Sequence, residues 1–341
     1  MKQIILFRFS VLISISIAIA FAGQAQVVSN PQTDHDLYNG LYQKGEYDKA
    51  LIVLKRLTKE KASDGDVWYY LGLTDLQLRK EGDAVKALEK ARTLLPRNTA
   101  VLTALAFAYL NNNDKHAERI AEEALEIEPK IAQAQYIVGA SSLRRGLYDA
   151  AYERAKQAVE IEPKFADGYR LKAQALIARF AQLSITVNKP ESRRDLLREA
   201  AGDMERFLNL TPSRPDTEFY KEYFEAIKFF GEYYASPENQ KPIPDETVSS
   251  DPRVTPLKII SKPRAAYTDE ARIHNVQGIV HLLIGFSEDG TIKHILILNA
   301  LGAGLDQNVV AAAKQIRFEP KKIDGKPVSV AMMFQYGFNI Y

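Results

Sequence analysis

Histidine is the side chain best suited to acid–base or metal chemistry in this sequence of 341 residues, which has five histidines and no cysteine. His281 and His294 flank a predicted hairpin turn. If Phe286 pairs with Thr291 across that turn, the two histidines share one face of the sheet as diagonal neighbours. A zinc site needs a third protein ligand, and the spacing supplies none. We therefore expect an ordinary exposed sheet face here, with metal binding as the alternative.

Other catalytic patterns are weak. Gly302-Ala303-Gly304 follows a predicted strand but lacks the rest of a dinucleotide fingerprint. Neither a Ser-His-Asp combination nor a carboxylate pair stands out by spacing. The absence of cysteine removes disulfides, thiol nucleophiles and thiolate metal sites. We expect a protein that is not an enzyme and uses no cofactor; an envelope enzyme or metal-binding protein stays the alternative.

Composition and charge are those of an ordinary globular protein. Hydrophobic residues make up 46% of the sequence and charged residues 26%. The 45 basic and 43 acidic residues give a formal net charge of +2, so no strong field attracts nucleic acid or an anionic membrane. The length allows about two domains. We expect protein or peptide partners and no nucleic acid.

The N-terminal residues have the order of a secretory signal peptide. Lys2 and Arg8 precede an uncharged apolar run, Phe9–Ala22, of 14 residues. Cleavage patterns of small residues end at Ala22 and at Ala25, as in signal peptides. We predict a cleaved signal peptide over residues 1–25 and a periplasmic protein. An uncleaved inner-membrane anchor is the alternative.

A period of about 34 residues organises the chain after the signal peptide. Pro96, Pro129 and Pro163 lie 33 and 34 residues apart, each after an alanine-rich helical pattern. Small residues recur where two helices approach closely, and proline ends the second helix of each pair. The pattern resembles an array of about five tetratricopeptide repeats. It implies an α-helical solenoid over residues 33–235, capping helix included.

The end of this array departs from the period. Pro212 follows Pro163 by 49 residues, which predicts an insertion near 183–191 in the form of a longer helix–helix loop. Residues 216–235 then form an aromatic-rich helical pattern. Its main stripe is Phe219, Tyr223, Ile227, Phe230 and Tyr234. We expect a capping helix on the last repeat, and docking of the second domain or a partner is the alternative.

The first helices of such repeats line a groove that suits an extended peptide or a partner helix. The aromatic, amide, arginine and leucine positions expected to face it are Tyr69, Leu73, Gln77, Phe107, Asn111, Tyr136, Arg144, Arg170 and Gln174. The alternative is that these positions form a solvent-exposed concave surface that binds no dedicated ligand.

Composition changes after Ala235. Residues 236–256 contain five prolines among polar residues and have no apolar period, which predicts a stiff linker. Residues 257–341 predict a compact α+β module. Its predicted elements are a strand at 257–260, a short helix at 268–275, a hairpin of 278–286 with 291–299, a helix at 306–316 and a strand at 328–338.

The C-terminal module carries an ordered set of motifs. They are Lys262–Arg272, Gly278-Ile279-Val280, Phe286 with Asp289-Gly290, Leu305-Asp306, Phe318-Glu319-Pro320 and Gly325–Val328. Together they resemble the TonB C-terminal domain over residues 257–341. One departure is Thr268, because the family usually has proline after the tyrosine at 267.

The resemblance implies an antiparallel sheet with two helices, in a periplasmic module that contacts outer-membrane transporters. In the best-known members an extended transporter peptide adds to the edge of the sheet. It also touches the residue before the motif tyrosine, which is Tyr267 in this sequence. The residues expected to bind a partner in this way are Ala266, Tyr267, Val328, Val330, Met332 and Phe334. Closure of the strand within the domain, or burial against the repeats, is the alternative.

The favoured hypothesis is a periplasmic adaptor whose repeats hold one protein while its TonB-like module engages an outer-membrane transporter or another envelope protein. A membrane-anchored energy transducer is the second hypothesis. In such transducers the resemblance implies a serine and a histidine on the N-terminal helix facing the proton-driven motor. The segment 4–22 has serines but no histidine, which favours the adaptor.

The first prediction concerns the N-terminus. We expect the native protein in the soluble fraction, with an intact mass that corresponds to cleavage after Ala22 or Ala25. Mass spectrometry of fractionated cells checks this, and a full-length mass in the inner membrane would support the anchored transducer instead.

Overall fold

The computed structural model describes residues 34–110, 114–186, 190–236, 239, 243 and 245–339. The predicted signal peptide lies outside these residues, as does Asn111. The chain divides into two compact units between Arg145 and Gly146, called here the N-terminal unit and the C-terminal unit. In the described ranges, no helix combines the length and apolar character that crossing a bilayer requires.

Seven described helices form the N-terminal unit, and each packs against the next along the chain. Their bounds are α1 (Asp34–Gln43), α2 (Tyr47–Glu60), α3 (Gly65–Gln77), α4 (Glu81–Leu94), α5 (Thr99–Tyr109), α6 (Asp114–Ile127) and α7 (Ala132–Arg144). Asp64 caps α3 through bonds from two main-chain N–H groups, and Asn98 caps α5 in the same way. These helix pairs confirm the predicted tetratricopeptide-type fold.

Close approach of α3 and α4 depends on Gly72. A Cβ atom at this position would lie 2.4 Å from Leu88 Cγ and 2.8 Å from Leu88 Cδ2. On the facing helix Ala84, Ala87 and Ala91 are buried. Small residues therefore stand where the sequence pattern placed them, at the contact between the two helices of a repeat.

The C-terminal unit begins with four helices, α8 (Tyr148–Ile161), α9 (Ala166–Thr186), α10 (Pro190–Leu210) and α11 (Thr217–Tyr233). The longer loop predicted near 183–191 is wrong. Helices α9 and α10 each have 21 residues, so the insertion lengthens two helices rather than their connection. Pro190 is the first residue of α10, a position where its missing N–H costs no helical hydrogen bond.

Small antiparallel sheets and two short helices follow. Their elements are β1 (Val254–Thr255), β2 (Lys258–Ser261), α12 (Asp269–Ile273), β3 (Gly278–Phe286), β4 (Ile292–Asn299), α13 (Leu305–Ala313), β5 (Arg317–Glu319), β6 (Lys322–Ile323), β7 (Lys326–Pro327) and β8 (Val330–Phe338). The main sheet has the order β4-β3-β8, and β2 pairs with β5. These elements confirm the predicted α+β domain.

The last residues of the predicted linker, 236–256, lie against this domain. β1 pairs with β6, Lys321 Nζ lies 2.6 Å from Glu246 Oε2, and the Leu257 N–H donates to the Glu246 carbonyl. The domain bounds predicted from composition stay a prediction.

One hydrophobic core joins the helices of the C-terminal unit to its sheet. Helix α11 lies between them, packing against α10 and against β4. Tyr223, Ile227, Phe230 and Tyr234 of its predicted stripe are buried, and Phe219 packs at the margin of the core. The helix therefore caps the last repeat and docks the sheet at the same time.

The predicted register of the β3–β4 hairpin is wrong. Phe286 pairs with Ile292 rather than Thr291, and His281 pairs with Asn299. Irregularities in the pairing shift the register twice along the hairpin, because a bulge sets two residues of one strand against one of the other.

The second prediction tests the contact between α3 and α4. We expect Gly72→Ala to lower the free energy of unfolding by about 1–3 kcal/mol, because the added methyl group overpacks against Leu88. Urea denaturation monitored by circular dichroism measures it. Gly82→Ala is the matched control, since nothing lies within 4 Å of its Cβ position, and we expect it to be neutral or stabilising by up to about 1 kcal/mol. Equal effects would contradict the close-approach argument.

Candidate functional site

The final strand β8 forms one edge of the main sheet. It pairs with β3 in a continuous antiparallel register, from Gly278 opposite Phe338 to Phe286 opposite Val330. Within the described residues, no strand pairs with the other side of β8. One side of this strand therefore lacks a strand partner among the described residues.

Two hydrogen bonds of Asn299 show which main-chain groups of β3 turn away from β8. The His281 N–H donates to Asn299 Oδ1 (2.8 Å), and Asn299 Nδ2 donates to the Ile279 carbonyl (2.7 Å). Main-chain groups of a strand alternate between its two sides, so His281 and Ile279 face β4. Their β8 partners, Gln335 and Gly337, consequently turn their N–H and C=O groups away from β3.

The same alternation extends along the strand. The outward main-chain groups belong to Ala331, Met333, Gln335 and Gly337, and we call them the open edge. An independent contact agrees, because Lys262 Nζ donates to the Gln335 carbonyl at 2.7 Å.

Two side chains lie against the open edge. The Tyr233 hydroxyl of α11 faces the main chain of Ala331. Lys262 reaches Gln335, and its Nζ lies 4.7 Å from the ring centroid of Tyr336 and 5.7 Å from that of Phe334. Burial against these groups lowers the pKa of Lys262. Met333 lies between these two positions, and neither Tyr233 nor Lys262 bonds to its main chain.

The opposite edge of the sheet is covered. Helices α9 and α11 both pack against β4. The Tyr223 hydroxyl donates to the Ile297 carbonyl at 2.9 Å, and the Phe229 ring stacks on His294 with centroids 4.2 Å apart. The outer side of β4 is therefore occupied by helices, with a side chain of α11 bonded to its main chain.

Contacts of the segment 262–268 hold it beside β8. The Tyr267 hydroxyl donates to the Val276 carbonyl, and its ring packs edge-on against Phe338 at 5.6 Å. Thr268 Oγ1 donates to the Ala303 carbonyl at 2.6 Å and accepts from the Ala271 N–H at 3.0 Å. Thr268 thus caps α12 and anchors the segment.

A buried carboxyl group holds the loop whose Ala303 carbonyl accepts the hydrogen bond from Thr268. Asp306 accepts the N–H groups of Leu301 (3.0 Å) and Gly302 (2.9 Å) through its two oxygens. Burial raises the pKa of Asp306 to about 6, against the lowering effect of the two bonds. Two residues further along, Asn308 Nδ2 donates to the Ala266 carbonyl at 2.8 Å.

The residues predicted to bind a partner occupy different positions around this edge. Ala266 is exposed, and Tyr267 is half-buried. Val328 precedes β8, and its N–H donates to the Lys321 carbonyl. Val330, Met332 and Phe334 direct their main chains to β3. A role for these residues in partner binding stays a prediction, and the sequence reasoning missed Lys262 as a group on the edge.

The predicted groove residues differ in accessibility. In the N-terminal unit Tyr69 and Leu73 are buried, and burial raises the pKa of Tyr69. Gln77 donates to the Tyr42 hydroxyl at 3.3 Å, and Arg144 donates to the Leu110 carbonyl. Half-buried positions of that unit are Phe107 and Tyr136, and those of the C-terminal unit are Arg170 and Gln174. Arg170 pairs with Asp167 at 2.9 Å. Their role in binding stays a prediction.

The two sheet histidines have separate partners. His281 Nδ1 lies 2.8 Å from Asn299 Oδ1, whereas His294 stacks on Phe229, and burial lowers the pKa of His294. Over the part of the chain that the structure describes, no group of three or more His, Asp or Glu side chains is arranged to hold a metal ion.

The family model for the Gram-negative bacterial TonB protein C-terminal matches residues 263–340. Residues 263–340 form a TonB C-terminal domain. The match covers the main sheet, both short helices and the open edge, so β8 is the final strand of the TonB domain. Preceding it are the tetratricopeptide-type helices described above.

Two solved structures are similar to the helical part of this chain. A thermophilic TPR protein of Thermus thermophilus, TTC0263, is 20% identical, covering 58% of this chain and 100% of that chain at a TM-score of 0.45. MamA of Desulfovibrio magneticus RS-1 is 18% identical, covering 53% of this chain and 94% of that chain at a TM-score of 0.41.

One curated relative has a local match. The peroxisomal targeting signal receptor of Saccharomyces cerevisiae is 35% identical over 63 residues, which is 18% of this chain and 10% of the relative. This chain therefore aligns with about a tenth of that relative's length.

The third prediction concerns Asp306. Its pKa of about 6 in the folded protein exceeds the unfolded value of about 3.9, so its contribution to stability is fully present below about pH 4 and is lost as the pH rises through 6. We expect the wild type to gain about 2–3 kcal/mol relative to Asp306→Asn between pH 7 and pH 4. Urea denaturation across this range measures the difference.

The control is Asp289→Asn. Hydrogen bonds from Lys293 and Thr291 lower the pKa of Asp289, so in the folded protein it stays ionised from about pH 4 to 7, and only the unfolded chain begins to take up a proton at about pH 4. The stability difference for Asp289→Asn therefore changes little over this range, and in the direction opposite to that for Asp306→Asn. A flat difference for Asp306→Asn would contradict the raised pKa.

Proposed function

We propose that this protein is an adaptor of the Gram-negative cell envelope whose TonB domain accepts an extended segment of a partner as an added strand on β8. The observation that carries the proposal is the open edge. Its main-chain groups at four alternate positions face away from β3, and main-chain hydrogen bonds to such groups provide affinity in strand addition.

The partner we favour is an outer-membrane transporter. Support comes from the family, which belongs to the Gram-negative envelope, and from the signal peptide predicted at 1–25, which would deliver the domain to the periplasm. Coverage of β4 by α9 and α11 supports β8 as the strand that receives the segment.

The helical repeats provide the second binding surface of the adaptor. Tetratricopeptide repeats are protein-interaction modules, and stacked repeats expose long surfaces suited to extended partners. Phe107 and Tyr136 are half-buried aromatic side chains of the N-terminal unit, the residue type that anchors protein interfaces. We propose that these repeats hold a second protein while the TonB domain binds its own segment.

A motor-coupled transducer is the competing function. It requires residues 1–25 to remain attached as a membrane anchor, so the intact mass of the native protein separates the two functions.

The fourth prediction tests strand addition. Gln335→Pro removes an outward N–H of the open edge and leaves the ladder to β3 intact, as proline is tolerated on edge strands. We expect it to remain folded and to weaken binding at least about tenfold. Calorimetry with synthetic peptides that cover the periplasmic N-terminal segments of the outer-membrane transporters of the same genome measures it.

Two variants control the experiment. Gln335→Ala keeps the main-chain N–H and should bind as the wild type does. Met332→Pro, by contrast, removes an N–H that faces Ile284 of β3, so we expect a loss of stability in thermal unfolding. Unchanged affinity of a folded Gln335→Pro variant would exclude strand addition at this edge.

A further inference from the structure

Lys262 is a cation on the open edge that has an unusual partner. Its Nζ donates to a neutral carbonyl, that of Gln335, and lies over the Tyr336 and Phe334 rings. Three other lysines of the same unit, Lys258, Lys293 and Lys314, each lie within 3.0 Å of a carboxylate oxygen. Among the described residues, no carboxylate forms an ion pair with Lys262.

The acceptor that Lys262 occupies is one that an added strand would use. The Gln335 carbonyl faces outward from the sheet, and an incoming strand would direct an N–H to it. A neutral strand must share this carbonyl with the ammonium group or displace it. Displacement deprives the ammonium group of this hydrogen bond and of its position over the two rings, which is unfavourable.

An acidic strand removes this penalty. Side chains of an added strand alternate between the faces of the sheet, and one in two would lie on the face that carries Phe334 and Tyr336. Lys262 lies over these same rings. A carboxylate at that position gives the ammonium group a charged acceptor and frees the Gln335 carbonyl for the strand.

We propose that Lys262 makes the open edge selective for extended segments that carry a carboxylate beside Gln335. The inference rests on the proposed strand addition and adds the chemistry of the partner. Lys262 disfavours the addition of neutral strands, as lysine commonly does at the edges of sheets. Toward an acidic strand it is a specificity-determining residue.

The test uses matched peptides. Each transporter-segment peptide is made in its natural form and with every Asp changed to Asn and every Glu to Gln, so that no register has to be assumed. Calorimetry gives the dissociation constants for the wild type, Lys262→Met and Lys262→Arg. We expect the wild type to prefer the carboxylate form of the binding peptides about fivefold, Lys262→Arg to keep the preference and Lys262→Met to lose it.

Lys258→Met is the matched control. Lys258 is an exposed lysine of the same domain whose Nζ pairs with Glu319, so its loss changes the net charge equally and should leave the preference in place. If Lys258→Met and Lys262→Met reduce the preference alike, general charge attraction explains it and the proposal is wrong.

Other outcomes separate the two proposals. Equal affinity of the wild type for both peptide forms would refute the role of Lys262 and leave strand addition standing, and this comparison does not depend on the folding of any variant. An undiminished preference in Lys262→Met would refute it as well. Failure of every peptide to bind the wild type would overturn both proposals.

Discussion

Helix α11 is the constraint on which the arrangement of the C-terminal unit depends. Its aromatic side chains pack against α10 on one side and β4 on the other, within one continuous core. Tyr223 shows how closely the two are joined, since its buried hydroxyl donates to the Ile297 carbonyl of β4. A buried phenol without such an acceptor would lower the stability of the fold. This bond therefore favours one position of β4 relative to α11. That position covers β4, whereas β8 has no strand partner on its outer side among the described residues.

An exposed sheet edge is also an aggregation hazard, because its unpaired groups accept any extended chain. Here one aromatic and one cationic side chain limit the edge, Tyr233 beside Ala331 and Lys262 at Gln335. Neither comes from β8 itself. The main-chain groups of this edge are therefore contacted by side chains from the elements around it.

The segment that carries Lys262 is held by bonds that compensate for a departure from the family pattern. Thr268 stands where proline is usual, and its hydroxyl both caps α12 and reaches the Ala303 carbonyl. Asp306 in turn holds the loop before Ala303 through two main-chain N–H groups. A polar residue thus fixes, by hydrogen bonds, a position that proline would fix by restricting the backbone.

Local periodicity determined the helices, the tetratricopeptide period and the elements of the TonB domain, because each depends on side chains close in sequence. The short helix near 268–275 and the span of β3 follow the predictions for this reason. The longer loop near 183–191 was wrong, since a longer spacing does not say whether residues extend a loop or two helices. The hairpin register was wrong because bulges are set by packing across strands. Only the tertiary structure decided which groups of β8 face outward and that Lys262 reaches Gln335, since both depend on contacts between residues distant in sequence.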